Sequence, residues 1–104
     1  MGEVFAAGLG AYKEAGFGSE WRLHHQGGAT GYATRDYKAT ATEKKIVELN
    51  QAFAWNPSIT GTKSEDTIIA REERTEIITN TPSWPLIPGT FRDQTIGRPD
   101  ILEL

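Results

Sequence analysis

The sequence predicts an α+β fold, in which an N-terminal helix packs on an antiparallel sheet. Apolar residues recur at helical spacing near the N-terminus. From residue 52 to residue 79, short apolar stretches alternate with turn residues, which is typical of a meander of strands. One helix followed by consecutive short strands indicates a protein whose helical and antiparallel parts are separate along the chain.

Length, charge and composition limit the classes of function. A chain of 104 residues is long enough for one domain with a modest core. The net charge of −3 and the absence of a basic patch disfavour nucleic-acid binding. No apolar run approaches the roughly 18 residues of a membrane span, and we see no secretory signal. We therefore expect a cytoplasmic protein without nucleic-acid or membrane partners. The lack of cysteine excludes disulfides and thiolate metal sites.

The N-terminal segment, residues 3–15, is predicted to be a helix. Val4, Leu9 and Tyr12 lie near one face at helical spacing. Gly16 follows directly, and glycine is the residue that most readily adopts the left-handed conformation that ends a helix.

The segment after the helix combines histidines and glycines. Alternation from Trp21 to His25 predicts a short strand, which would direct His24 and His25 to opposite faces. Three glycines between Gln26 and Tyr32 then indicate a bulged strand beside a cleft. Taken alone, the histidines fit either a structural or surface role or a ligand role, and the first is the simpler interpretation.

Three further strands are predicted at residues 52–55, 64–70 and 75–79, with a turn at 60–63. Residues 85–104 contain three prolines and two glycines, and we expect them to be irregular. The chain would thus consist of a domain at 1–84 and a tail at 85–104.

Glu65 and Asp66 form an acidic pair near the start of the predicted strand at residues 64–70. An inward carboxylate there is either a metal ligand or part of a solvated strand end.

Several motifs are more informative in their order along the chain than individually. They are Glu14-Ala15-Gly16-Phe17, the segment from His24 to Tyr32, Ala52 to Pro57, Gly61 to Ile69, and Glu76 to Thr79. In this order they resemble the C-terminal half of the pita-bread catalytic domain of the aminopeptidase P, prolidase and creatinase superfamily. The resemblance covers roughly residues 3–84, and its most specific part is Ser64-Glu65-Asp66-Thr67.

The resemblance implies a half pita-bread fold, in which the helix packs on a curved antiparallel sheet. Active peptidases of this superfamily bind two divalent metals, often manganese or cobalt. Two aspartates from the first half of their domain and one histidine and two glutamates from the second half are the ligands. The metals activate a water molecule for attack on the scissile peptide bond.

The chain departs from this pattern at most ligand positions. Gly28 stands where the ligand histidine belongs, and Asn56 replaces the glutamate of a glutamate–proline motif. Only Glu65 matches a metal-ligand position. In this alignment His24 matches a histidine that the peptidases use near the substrate, and the position of their later catalytic histidine lies near Arg35. The half that carries the aspartates is absent.

Three hypotheses follow. In the first, a half pita-bread module without autonomous metallopeptidase activity binds a peptide or small molecule through His24, His25 and Asn56, and needs no cofactor. In this reading His24 is also the candidate catalytic residue for metal-free proton transfer, and a second copy or a complementary N-terminal half is the expected partner. In the second, the chain completes an active Xaa-Pro hydrolase with manganese, cobalt or zinc at Glu65. In the third, it is a plain α+β interaction domain.

Overall fold

The computed structural model describes residues 1–104 and confirms the α+β class. Helix α1 (Gly2–Glu14) and a 3₁₀ helix (Glu20–Leu23) precede nine strands. The strands are β1 (Gly27–Thr30), β2 (Tyr37–Lys38), β3 (Ala52–Trp55), β4 (Ser58–Ile59), β5 (Thr62–Lys63), β6 (Asp66–Ala70), β7 (Thr75–Ile77), β8 (Leu86–Phe91) and β9 (Gln94–Pro99). Five of them form an antiparallel sheet in the order β2-β1-β3-β6-β7, and β4–β5 and β8–β9 are separate hairpins.

Helix α1 ends as the sequence predicts. Gly16 has a φ of 87°, and the Phe17 N–H donates to the Tyr12 carbonyl at 2.8 Å, which closes the last turn. At the other end, the Gly2 N–H donates to the Glu43 carbonyl at 3.1 Å. Phe5 is the buried residue of the helix, and its ring meets the Trp21 ring edge-on at 5.8 Å.

The predicted strand from Trp21 to His25 is wrong. Residues 20–23 form the 3₁₀ helix, and the backbone becomes extended only at His24. This segment pairs with no strand of any sheet, so its alternating pattern does not correspond to the two faces of a sheet. Instead the Trp21 ring packs against Phe5, and the Arg22 guanidinium lies 4.8 Å from the Trp21 ring centre.

The main sheet is centred on β3, which pairs with β1 on one side and with β6 on the other. Its register places Phe53 between Ala29 of β1 and Ile68 of β6, and Phe53 is only 2% exposed. Close packing dictates a glycine at position 27, where φ is 144° and a Cβ atom would lie 2.9 Å from the Trp55 ring. The prediction of strands at 52–55, 64–70 and 75–79 is confirmed, with the second and third shorter than predicted.

The prediction of an irregular tail is wrong for residues 86–99. Strands β8 and β9 pair along their whole length across a turn in which Arg92 has a φ of 53°. Pro88 and Pro99 are tolerated because both strands of an isolated hairpin are edge strands, where a missing N–H leaves no ladder bond unmade. Arg98 joins the hairpin to the main sheet through an ion pair with Asp66.

The buried core is small for the length of the chain. Only 8 of 104 residues are buried, and the radius of gyration of 14.1 Å exceeds the roughly 13 Å of a compact chain of about 100 residues. Neither helix combines the length and apolar character that a bilayer crossing needs. The curvature of the sheet and the division at residue 84 stay predictions.

Replacing Phe53 by alanine should lower the free energy of unfolding by about 3 kcal/mol, because a buried aromatic ring leaves a cavity that neighbours fill only in part. Urea denaturation followed by circular dichroism measures this change. Phe91→Ala in hairpin β8–β9 is the matched control, since Phe91 is 45% exposed. Equal losses in the two variants would contradict a core centred on β3.

Candidate functional site

Three of the four residues singled out from the sequence lie around one hollow. His24, His25 and Asn56 line a hollow of about 560 Å³, which the β4–β5 hairpin closes on the other side. Glu65 lies beside it, on the wall of a larger groove of about 1000 Å³ between α1 and the β8–β9 hairpin. Because Trp55 pairs with Asp66, the next pair in the register would be Asn56 with Glu65.

The buried residue Gln26 holds the segment that leads from the 3₁₀ helix to the hollow. Gln26 is 5% exposed, and its Nε2 donates to the carbonyls of Trp21 and His24, each at 2.9 Å. Its Oε1 lies 2.7 Å from the Tyr12 hydroxyl, and its own carbonyl accepts the Asn56 N–H at 2.9 Å. The side chain and backbone of Gln26 together hold His24 and Asn56 in position relative to α1.

Both ring nitrogens of His24 have hydrogen-bond partners. Nδ1 lies 2.5 Å from the His25 carbonyl, and Nε2 contacts the Ser58 hydroxyl. A carbonyl can only accept, so Nδ1 carries the proton and Nε2 of the neutral ring accepts from Ser58. His24 is therefore a fixed, oriented base rather than a mobile surface side chain.

Two buried side-chain atoms near the histidines lack a hydrogen-bond partner. They are Nε of Arg35, a donor, and Oδ1 of Asn56, an acceptor. The Arg35 Nη1 donates to the Thr34 carbonyl at 3.1 Å, whereas Nε of the same guanidinium has no partner. Buried polar groups without partners are uncommon, and at a cleft they indicate where a ligand can supply the missing bonds.

The charges around the hollow are mainly positive and affect one another. Desolvation lowers the pKa of His25 below its usual 6.5, and the cations Arg35 and Lys38 lower it further. A hydrogen bond from Lys63 lowers the pKa of Glu65, and the charges of Arg35 and His25 act in the same direction. Arg35 is thus close enough for its charge to act on both His25 and Glu65.

The residues present do not fit a two-metal centre. No group of three or more histidine, aspartate or glutamate side chains could hold a metal ion. The Lys63 ammonium lies 2.6 Å from a carboxylate oxygen of Glu65, and Arg98 pairs with Asp66. At Gly28, a Cβ atom would lie 2.9 Å from the Lys38 Cα, closer than real Cβ atoms approach a backbone.

Sequence reasoning missed three residues of the site, namely Tyr12, Gln26 and Ser58. A tyrosine on the apolar face of a helix needs a partner for its hydroxyl, which was a usable signal. The Tyr12 hydroxyl accepts the Ser58 N–H at 2.7 Å. Ser58 itself carries no local signal, because its contact with His24 spans 34 residues of chain.

No protein-family model, curated protein or solved structure matches the chain. The likeness to the pita-bread peptidases therefore rests on the residues quoted from the sequence and stays a prediction.

Replacing Gln26 by leucine should lower the free energy of unfolding by about 1–3 kcal/mol, because two partly buried carbonyls lose their donor. Urea denaturation measures the change. Gln94→Leu, at an exposed position of β9, is the control and should alter stability by less than about 0.5 kcal/mol. A Gln26 variant as stable as the control would contradict the role assigned to the carboxamide.

Replacing Arg35 by glutamine should raise the pKa of His25, because a cation that disfavours the charged imidazole is removed. An NMR titration of the two histidines measures this, with Arg74→Gln as a control of equal charge change. In the unmodified protein the unfolded chain binds a proton at His25 more readily than the folded chain. Acidification below pH 6.5 should therefore reduce stability. An unchanged His25 titration in Arg35→Gln would place Arg35 away from the hollow.

Proposed function

We propose that the chain is the C-terminal portion of a peptidase-like domain, similar to Xaa-Pro dipeptidase and aminopeptidase P, that binds a ligand but lacks autonomous metallopeptidase activity. The observation that carries this proposal is the convergence of His24, His25 and Asn56 on one hollow, with Glu65 in the adjacent register position. In the sequence resemblance Glu65 matches a metal-ligand position, His24 matches a histidine near the substrate, and Asn56 stands in place of a ligand glutamate.

The donor set supports the metal-free part of the proposal. A hard divalent cation takes about six oxygen ligands, and a two-metal site shares carboxylates between the ions. Here an amide replaces one carboxylate at Asn56, and Lys63 neutralises the carboxylate of Glu65. The ion pair is half exposed, so its energy is small, but its ammonium stands where a metal would have to bind.

The unpaired atoms indicate the chemistry of the ligand. The charge of Arg35 acts on both His25 and Glu65, and a guanidinium is the group that matches both oxygens of a carboxylate. The Asn56 Oδ1 needs an N–H donor. A small carboxylate that also carries an N–H group, such as an amino acid derivative or a short peptide, meets both requirements.

Exposed apolar side chains support a protein partner as well. Leu23, Ile46 and Ile101 are 68%, 81% and 78% exposed, and the main sheet ends in the unpaired edges of β2 and β7. Large exposed apolar residues and open sheet edges are typical of surfaces that another chain covers. A second copy or a complementary N-terminal half would be this partner, in a cytoplasmic protein.

The alternative function is that of an active metal-dependent Xaa-Pro hydrolase completed by another half or chain. One observation favours it: the side chain of Glu65 is 49% exposed, so exchange of Lys63 for a metal ion would need little rearrangement. Manganese, cobalt or zinc would then bind at Glu65, with the missing ligands supplied by the partner.

Calorimetric titration with manganese and with zinc tests the metal-free proposal. We expect no binding heat tighter than millimolar in the unmodified chain or in Glu65→Ala, because one carboxylate and one amide do not complete a coordination shell. Micromolar binding that is lost in Glu65→Ala and kept in Glu73→Ala would favour the hydrolase instead.

The same titration with N-acetylglycine tests the ligand class. Binding should weaken at least about tenfold in Arg35→Gln, which removes a bidentate donor, and stay unchanged in Arg74→Gln. The methyl ester of N-acetylglycine, which lacks the carboxylate, should not bind. Equal affinity of the two arginine variants for N-acetylglycine would show that Arg35 does not contact the ligand. Inorganic phosphate that binds more tightly than N-acetylglycine would contradict the proposed ligand class.

A further inference from the structure

We propose that Ser58 and His24 form a nucleophile–base pair that cleaves small polar esters. This activity goes beyond the ligand binding proposed above and needs no metal ion. It rests on the contact between the Ser58 hydroxyl and Nε2 of His24, and on the hydrogen bond that orients the other side of the imidazole ring.

The orientation of His24 is that of a general base. Its Nδ1–H donates to the His25 carbonyl at 2.5 Å, so the lone pair of the neutral ring is at Nε2, facing Ser58. A serine hydroxyl is a weak nucleophile until an adjacent base takes its proton, and the base works best when a third group holds its tautomer. The His25 carbonyl is that third group.

Ser58 is held in place by its own backbone. The Ser58 N–H donates to the Tyr12 hydroxyl at 2.7 Å, and the Ser58 carbonyl lies 2.8 Å from the same oxygen. At the tip of the β4–β5 hairpin, the Thr60 N–H and hydroxyl both donate to a carboxylate oxygen of Glu20, at 2.8 and 2.9 Å. The nucleophile therefore stands on an element fixed at both ends, as a preorganised site requires.

Two further side chains stand beside the nucleophile. Lys63 pairs with Ser58 across the β4–β5 hairpin, and opposite residues of an antiparallel pair share a face. Asn56 lines the same hollow. An ammonium and a side-chain amide are both groups that stabilise the negative oxygen of a tetrahedral intermediate. Ile59 is the one hydrophobic residue among the eight that line the hollow, which fits a small polar ester better than a long acyl chain.

The reaction would proceed in two steps. The Ser58 hydroxyl proton passes to Nε2 of His24 as Oγ attacks the ester carbonyl carbon. The carbon–oxygen bond to the alcohol then breaks, and the alcohol leaves with the proton from Nε2. Water next attacks the acyl carbon and gives its proton to Nε2. The acyl–serine bond breaks, the acid departs, and Ser58 regains its proton.

The first experiment measures release of 4-nitrophenolate from 4-nitrophenyl acetate by the purified full chain. We expect the rate above background to fall at least about 100-fold in Ser58→Ala and in His24→Gln, since each removes one member of the pair. Ser83→Ala is the control, because Ser83 is an exposed serine outside the hollow, and it should keep the full rate. Circular dichroism on each variant monitors the fold.

Labelling provides a readout that does not depend on turnover. A fluorophosphonate reagent should modify Ser58 in the unmodified chain, as located by mass spectrometry of peptides, and Ser83 should stay free. The label should disappear in His24→Gln. Equal labelling of both serines, no labelling, or full esterase rate in Ser58→Ala would each overturn the proposal. Loss of rate in His24→Gln alone would also overturn it, since the imidazole would then be the nucleophile.

Discussion

The carboxamide of Gln26 joins the parts of the fold that form the site. It is the buried polar side chain of a small core, and its bonds reach the 3₁₀ helix, the extended residue His24, and Tyr12 of α1. The apolar core is small and is formed mainly by Phe5, Ala29 and Phe53. The hydrogen bonds of Gln26 are therefore a main determinant of the positions of the residues around the hollow.

Local patterns predicted the central part of the sheet correctly. Strand β3 was predictable because a continuous apolar run ends at Asn56-Pro57, and β6 because apolar residues follow the acidic pair. The 3₁₀ helix at 20–23 and the β8–β9 hairpin were not. Alternation over five residues does not distinguish a strand from a 3₁₀ turn, and the prolines of the tail are compatible with an isolated hairpin whose strands have free edges.

The site was predictable in part. His24, His25 and Asn56 came from motif order along the chain, and they line one hollow because β1 and β3 are neighbours in the sheet. Ser58 was not predictable, because it joins the site through a contact across 34 residues of chain. The sequence indicates that the Tyr12 hydroxyl needs a partner, but not that the partner is Gln26, 14 residues away. The unpaired donor of Arg35 is likewise invisible in the sequence, since it depends on which neighbours burial leaves beside the guanidinium.

The close approach of Gly28 to the backbone of β2 bears on how such a chain could evolve. Any side chain at this position would collide with the strand that pairs with it, so a histidine could stand there only if β2 moved. A metal site that used a histidine at position 28 would therefore need changes in two strands together. The contact between two backbones thus limits which chemistries a single substitution in β1 can introduce.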